Sequence, residues 1–327
     1  MNEIEGQSKS DRPPGGLRQD LPQASRRADF VVLLFYLLSA LMVRCVRPAR
    51  WSALPDLLAR LQTRRASDKD RGFREAVPAL LGRQWDPGAA LGLRAKNLSH
   101  VHCRSVFIAA LRRRRGWNPS VTLIGRERLE TELARGCGAM LWWDGFAHSA
   151  IIGKLALAEA GYRPWHLSAK GHGILNSPLA ERFLNPRVID VEMRYLAGRI
   201  VFDSASTVAA TRRIMQVLEG NGIVSITNNA RIGKTILVPF DTGMTLLLAR
   251  TPLNLAARRG AALLPVCVIE VERFARYEVT IGPNLATGLA EAADPIRVMA
   301  TAYANYLLPL ARAHPAQWDG WGLLRRS

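Results

Sequence analysis

The sequence is poor in acidic residues, and this shortage sets its charge. Only 27 of the 327 residues are Asp or Glu, against 45 Lys and Arg, so the formal net charge at pH 7 is +18. A field of this sign favours anionic partners, namely nucleic acid, an anionic membrane face or a phosphorylated substrate. The sequence carries no helix-turn-helix, zinc or RNA-recognition signature. We therefore predict no nucleic-acid partner, in spite of the charge.

Cysteine is also scarce, and no two cysteines have the CxxC spacing of a zinc or redox site. The four are Cys45, Cys103, Cys137 and Cys267, too widely scattered to suggest a framework of disulfides. A reducing cytoplasm is therefore the expected location. A serine hydrolase is disfavoured as well, because no Gly-x-Ser-x-Gly elbow surrounds Ser149.

No apolar run reaches the roughly 20 residues that a membrane span needs. The longest, residues 30–43, has 14 (FVVLLFYLLSALMV), and no small-x-small cleavage site follows it, so we expect it to be retained. Residues 44–115, which follow directly, contain 17 basic and 5 acidic residues. An apolar helix beside a basic block is typical of binding to anionic lipid. We predict a membrane-anchoring helix over residues 29–48; a buried core helix is the alternative, since runs of this length often form one.

Two further segments complete the predicted organisation. Residues 1–28 are polar and contain a Pro13-Pro14-Gly15-Gly16 stretch, which predicts a disordered tail. Beyond about residue 93, short apolar runs (121–124, 138–143, 222–227 and 261–269) alternate with helical patterns such as 126–135 and 146–161. This alternation is typical of an α/β fold. We predict a single αβα layered domain with a largely parallel mixed sheet over residues 49–327.

The best candidate for chemistry follows the run 138–143, where a strand leads through Asp144-Gly145 into a helical pattern. Ligands of parallel sheets collect at such strand ends. Asp144 and His148 are four residues apart, so they share a helix face if the helix begins by Asp144. The carboxylate would then orient the imidazole, leaving its other nitrogen as a general base. The alternative is that Asp144 caps the helix and His148 is a satisfied, half-buried histidine.

Several segments resemble, in order, the lipid A biosynthesis lauroyl/myristoyl acyltransferase family. They are Asn97-Leu98 and residues 125–143, 220–227, 239–243 (PFDTG), 248–251 (LART), 260–266 and 314–326, so the resemblance covers roughly residues 95–326. It implies an enzyme anchored by an N-terminal helix at the cytoplasmic face of the bacterial inner membrane. Such an enzyme transfers a fatty acyl group from acyl carrier protein or acyl-CoA to a hydroxyl of an anionic lipid or glycolipid. The resemblance implies no cofactor and no metal.

The family's base is a histidine separated by four intervening residues from an acidic residue, and this sequence departs from that pattern. Asp144 stands where the family has its histidine, and Ser149 stands where it has the acidic residue. The family's Asp-Gln pair after a later strand is replaced by Asn228-Asn229. A non-catalytic lipid-binding or accessory paralogue of the same fold is therefore the alternative function.

If the protein is an enzyme, the predicted site combines residues at the strand end after residues 138–143 with residues that the family resemblance implies. His148 is the general base, oriented by Asp144. Arg194 stands where the family often has a basic residue facing the phosphate of the acceptor. The predicted substrate-binding residues are Ser149, Arg194, Asn228 and Phe240.

Overall fold

The computed structural model describes residues 26–64, 68–82, 85–113, 117–169, 178–202, 207–228, 234–241, 243–289 and 291–326. Of the predicted disordered tail, residues 1–25 lie outside this described part. The first helix, α1, begins at Arg26 rather than at residue 29 and ends at Cys45.

Four helices precede the first strand. After α1 come α2 (Ala53–Thr63), α3 (Asp68–Leu81) and α4 (Pro87–Leu111). The start of α4 is fixed by its sequence: Pro87 occupies the first turn, and the Asp86 carboxylate accepts a 2.7 Å hydrogen bond from the Ala89 amide. The other three helices pack against α4. Within the residues that the structure describes, no helix combines the length and the apolar character needed to cross a membrane.

The rest of the chain alternates strands with helices. In order, these elements are β1 (Ser120–Ile124), α5 (Arg126–Ala134), β2 (Ala139–Trp143), α6 (Ile152–Glu159), β3 (Trp165–Ala169), α7 (Pro178–Phe183), α8 (Asn185–Met193), β4 (Gly198–Phe202), α9 (Thr207–Glu219), β5 (Ile223–Thr227), β6 (Thr235–Asp241), β7 (Met244–Ala249), α10 (Arg250–Arg259), β8 (Ala262–Glu272), β9 (Arg276–Ile281), α11 (Pro295–Ala313) and β10 (Leu324–Arg326).

The main sheet has seven strands in the order β1-β9-β8-β2-β5-β3-β4. The five strands from β8 to β4 are parallel to one another, and β9 pairs antiparallel with β8 and parallel with β1. The strands β10, β7 and β6 form a separate antiparallel sheet. The predicted α/β class with a largely parallel sheet is confirmed.

Helices cover both faces of the main sheet, and strand alternation assigns each side chain of β2 to one face. Trp142 stacks on Tyr303 of α11, with ring centroids 4.0 Å apart, and this side is called the α11 face. Trp143 lies in the same buried cluster as Phe107 of α4, and that side is called the α4 face. All five β2 residues are buried, as expected for a central strand covered on both sides.

Candidate functional site

A difference in strand length creates the site at the carboxyl edge of the main sheet. The parallel pairing of β2 with β8 ends at Trp143 and Val266. Strand β8 continues to Glu272, paired only with β9, and so carries Glu270 past the end of β2. Glu270 is two and four residues beyond Val268 and Val266, which both lie in the core of the α4 face. It therefore points to that face, next to the segment that follows β2.

Three side chains from distant parts of the sequence converge there. The Nδ1 atom of His100, on α4, lies 3.0 Å from the Nε2 atom of His148. The Oε2 atom of Glu270 lies 3.3 Å from this His100 nitrogen and 3.6 Å from this His148 nitrogen. The His148 and Glu270 side chains are 0% and 3% exposed, whereas His100 is 12% exposed. We call these residues the His100–His148–Glu270 cluster.

Glu270 is held as a carboxylate by partners on both oxygens. Its Oε1 atom accepts hydrogen bonds from the Tyr277 hydroxyl, at 2.7 Å, and the Phe274 amide, at 3.1 Å. Burial by itself raises the pKa of Glu270, because it penalises the charged form. The hydrogen bond with His100 and the electrostatic attraction of His148, Arg273 and His100 outweigh burial and bring the pKa down to about 2.

Arg273 closes the cluster on its outer side. Its Nη1 atom lies 2.9 Å from Nδ1 of His100 and 3.4 Å from Oε2 of Glu270. Its Nη2 atom donates to the Ser99 hydroxyl at 2.6 Å and lies 3.6 Å from a carboxylate oxygen of Asp56 on α2. The Ser99 hydroxyl in turn donates to this carboxylate. Arg273 therefore links the cluster to α2 and α4, and its side chain remains 28% exposed.

The inner member, His148, lies against aromatic rings. Its ring centroid is 5.4 Å from that of Phe107 and 5.6 Å from that of Tyr277. Its Nδ1 atom has no hydrogen-bond partner in the described part of the chain. Burial lowers the pKa of His148 to about 3 although the Glu270 charge opposes this effect, so the imidazole is neutral at pH 7.

The predicted pairing of Asp144 with His148 is wrong. The polar neighbour of Asp144 is the Tyr303 hydroxyl, and its carboxyl makes no hydrogen bond to His148. Asp144 comes two residues after Trp142 and faces Tyr303 on the α11 face, away from the cluster. The helical spacing does not apply either, because α6 begins only at Ile152. Burial raises the pKa of Asp144 to about 8, and the neighbouring Tyr303 hydroxyl opposes this rise.

Ser149 and Asn228 lie at the same sheet edge, with different surroundings. Ser149 is buried one residue after His148, and its hydroxyl has no hydrogen-bond partner in the described ranges. The backbone amide of Asn228 donates to the Trp143 carbonyl at 3.1 Å. The Asn228 side-chain oxygen accepts from the Ala249 amide at the start of α10, which gives this side chain a structural task. The following residue, Asn229, lies outside the described residues.

The structure does not bring Arg194 or Phe240 to the cluster. Arg194 is exposed between α8 and β4 and donates to the Leu111 carbonyl, at 2.7 Å. It therefore lies towards the amino end of β4, at the opposite edge of the parallel strands. Phe240 is buried in the small sheet, where its ring stacks on Trp318 with centroids 5.7 Å apart.

A second buried polar group is linked to the His100–His148–Glu270 cluster through α4. The sequence did not predict this group. The Lys154 ammonium, on α6, is 3.0 Å from Glu192 of α8, and both side chains are buried. Arg104, one helical turn after His100, has its Nη2 atom 3.5 Å from Glu192. Arg199 of β4 contributes a third positive charge that acts on Lys154. We call Lys154, Arg104 and Arg199 the cationic group; its three positive charges face the single carboxylate of Glu192.

Sequence reasoning also missed Glu270, His100 and Arg273 as site residues. The available signals were an acidic residue at the end of the apolar run 261–269 and a histidine on an amphipathic helix. Neither signal identifies a partner. Neither a comparison with models of known protein families nor one with curated proteins found a match.

Proposed function

We propose that the protein transfers a fatty acyl group from a thioester donor, acyl carrier protein or acyl-CoA, to a hydroxyl of an anionic lipid or glycolipid. One observation carries this proposal. The two imidazoles and the carboxylate of the His100–His148–Glu270 cluster converge beside the end of β2. The sequence resemblance implies a catalytic histidine at the end of this same strand.

In the proposed reaction, the imidazoles accept the proton of the acceptor hydroxyl. Glu270 takes the orienting role that the sequence suggested for Asp144, because its Oε2 atom lies within 3.6 Å of a nitrogen of each ring. The ring nitrogens of His100 and His148 are 3.0 Å apart, so a proton can pass between them. The resulting alkoxide attacks the thioester carbonyl, the C–S bond breaks, and the leaving thiolate takes up the proton. General-base assistance of this kind contributes roughly 10²–10⁴ in rate.

The cationic group supports an anionic acceptor. Arg104 follows His100 by four residues on α4, so the two side chains project from the same helix face one turn apart. The Nη2 atom of Arg199 has no hydrogen-bond partner among the residues described. A phosphate of the acceptor would supply the charge-assisted hydrogen bonds that these guanidinium groups can make. This role replaces the one predicted for Arg194, whose guanidinium donates to the Leu111 carbonyl.

The surface of α1 supports an acceptor that resides in a membrane. The buried side of α1 includes Tyr36 and Val43, which pack in the core of the α4 face. Its other side exposes an apolar stripe, in which Phe30 is 64% and Leu41 58% exposed; the remaining members are Leu34, Leu37 and Leu38. Exposed Arg44, Arg47 and Arg50 follow this stripe. An apolar stripe next to cations suits a helix that lies within an anionic membrane interface. We propose the cytoplasmic face of the bacterial inner membrane, where both donors are present.

The first test is transfer of a labelled acyl chain from acyl carrier protein, and separately from CoA, into total membrane lipid. We expect His148→Ala to lower the rate about 100-fold or more. Asp144→Asn is the matched control, because it alters a buried polar side chain at the same sheet edge but on the other face. We expect this control to change the rate less than about threefold. Transfer by the native chain that survives His148→Ala would rule out the cluster as the base.

A non-catalytic lipid-binding paralogue is the second candidate, and one observation favours it. The His148 side chain is 0% exposed, so a substrate must displace other groups to reach it. On this reading the apolar stripe and the cationic group bind lipid, and the cluster is structural. Retained binding to anionic vesicles without transfer from either donor would select this alternative.

A further inference from the structure

We propose that the His100–His148–Glu270 cluster is a binding site for one divalent transition-metal ion, with zinc as the best match. The inference uses only the positions and chemistry of the ligand atoms, so its test needs no acyl donor. An ion bound here would occupy the ring nitrogens that act as the base in the proposed reaction, and the metal-bound form would not follow that route. Two imidazole nitrogens and one carboxylate oxygen form a ligand set that zinc accepts in catalytic sites, with the fourth position left for water or substrate.

The distances between the three ligand atoms match a tetrahedral ion. Zinc binds imidazole nitrogen and carboxylate oxygen at about 2.0–2.2 Å, which places two ligand atoms of a tetrahedron about 3.3–3.6 Å apart. Here the three separations are 3.0 Å between His100 Nδ1 and His148 Nε2, and 3.3 and 3.6 Å from these atoms to Glu270 Oε2. His148 and Glu270 are buried and His100 is only 12% exposed, so an ion would be largely shielded from solvent.

Outer contacts hold two of the ligands in place, as is usual around metal ions. The Tyr277 hydroxyl and the Phe274 amide occupy Oε1 of Glu270, and this leaves Oε2 directed at the two rings. Phe107 and Tyr277 pack against the ring of His148. The ligands come from α4, from the turns after β2 and from β8, so the folded chain arranges them before an ion arrives.

Arg273 is the group that competes with an ion. Its Nη1 atom lies 2.9 Å from Nδ1 and 3.2 Å from Nε2 of His100, and this obstructs the approach of an ion to the lone pair that a deprotonated Nδ1 offers. A metal would need the same lone pair and would be repelled by the adjacent positive charge. Arg273 can turn away, because its side chain is 28% exposed and its Nη2 atom already contacts Ser99 and Asp56. Binding of the ion and the position of Arg273 are therefore coupled.

The test measures binding of zinc alone, without lipid or acyl donor. The full-length chain is stripped with EDTA and titrated with Zn²⁺ by calorimetry, and Co²⁺ replaces zinc to report tetrahedral coordination by its visible absorption. We expect one ion per chain. Loss of an outer partner of a metal ligand typically lowers the metal affinity roughly 10–100-fold. His148→Ala and Glu270→Gln each remove a ligand itself, so each should weaken zinc binding by at least this factor. Asp144→Asn, the matched control on the other face, should leave the affinity unchanged within about twofold.

Arg273→Met gives a result that a purely structural cluster does not predict. It removes the competing charge and keeps an unbranched side chain, so zinc affinity should rise about tenfold or more. This variant also keeps the proposal testable if either ligand variant fails to fold. Absence of binding by the native chain would overturn the proposal, as would unchanged affinity in His148→Ala. Binding by Arg273→Met alone would overturn it too, because the guanidinium would then complete the native cluster. Since no acyl donor is present, failure of acyl transfer leaves these outcomes unaffected.

Discussion

Asp144 and Glu270 are both buried carboxyl groups at the carboxyl edge of the main sheet, yet they differ in charge. Asp144 follows β2 and faces α11, whereas Glu270 lies on the neighbouring β8 and faces α4. The pKa of Asp144 is raised to about 8, and that of Glu270 is lowered to about 2. At pH 7 the first is therefore mainly a neutral acid and the second is a carboxylate.

The number of partners explains this difference. Burial raises the pKa of both groups. Around Asp144 only the interaction with the Tyr303 hydroxyl opposes that rise. Glu270 receives the Tyr277 hydroxyl, the Phe274 amide, His100 and Arg273. Position at a strand end therefore does not determine whether a carboxyl group is charged. The hydrogen-bond donors and cations that surround it do.

Asp144→Asn should produce the largest change in stability. The pKa of Asp144 rises from 3.8 to about 8 on folding, so the folded chain holds a proton that the unfolded chain releases. Stability is therefore lost as the pH rises from about 4 to 8. The neutral amide avoids this loss and should increase the free energy of unfolding by up to about 4 kcal/mol at pH 7. Urea denaturation at pH 7 measures the gain.

The same measurement near pH 4 is the control. There the carboxyl is protonated in the folded state and roughly 40% protonated in the unfolded state, so the native chain and Asp144→Asn should differ by less than about 1 kcal/mol. A gain of the same size at both pH values would mean that packing, and not ionisation, distinguishes the two side chains.

Glu270→Gln should have the opposite effect on stability. Removal of one partner from a buried ion pair typically costs 3–5 kcal/mol. Arg273 is 28% exposed and can regain water, so we expect a loss of about 3 kcal/mol in the free energy of unfolding. The measurement is made at pH 7 with EDTA, so that metal binding does not contribute. Glu272→Gln, at the exposed end of β8, should change stability by less than about 0.5 kcal/mol. Equal losses in the two variants would refute a stabilising role for the cluster.

Much of the fold follows from local patterns in the sequence. The apolar run 138–143 corresponds to β2, all of whose residues are buried, and the long run 261–269 lies within β8. Short apolar runs alternating with helical patterns predicted a largely parallel sheet, because such strands are covered on both faces. These features depend on neighbours in the sequence, and this is why they could be predicted.

The start of α6 could not be predicted, because distant residues determine it. The helical pattern over 146–161 suggested a helix close to Asp144, but α6 begins at Ile152. Phe146 forms a β-bridge with Trp318, and the Ala147 amide donates to the Gln317 carbonyl. These contacts with the C-terminal segment hold the residues after β2 in turns. No local pattern reveals a partner 170 residues away.

In the candidate site, too, distant residues determine what the local sequence could not predict. The sequence placed His148 at this strand end and paired it with Asp144, whereas the structure places Glu270 beside it. Asp144 was favoured because it is four residues from His148. Glu270 is 122 positions away and reaches the histidine only because β8 extends past β2. Strand length and the choice of sheet face therefore determine the composition of the site, and both depend on tertiary packing.

Two tyrosine variants compare the two carboxyl groups directly, and they have the smallest expected effects on stability. Tyr277→Phe removes a 2.7 Å hydrogen bond to the charged Glu270, and we expect it to lower the free energy of unfolding by about 1.5–3 kcal/mol. Tyr303→Phe removes the hydroxyl that interacts with the mainly neutral Asp144, so we expect the smaller loss of about 0.5–1.5 kcal/mol that is typical of a neutral hydrogen bond. Both changes delete one oxygen from a buried ring, so urea denaturation at pH 7 separates bonding from packing. Equal losses would show that Tyr303 binds Asp144 as strongly as Tyr277 binds Glu270, and the difference in partners could then not explain the difference in charge.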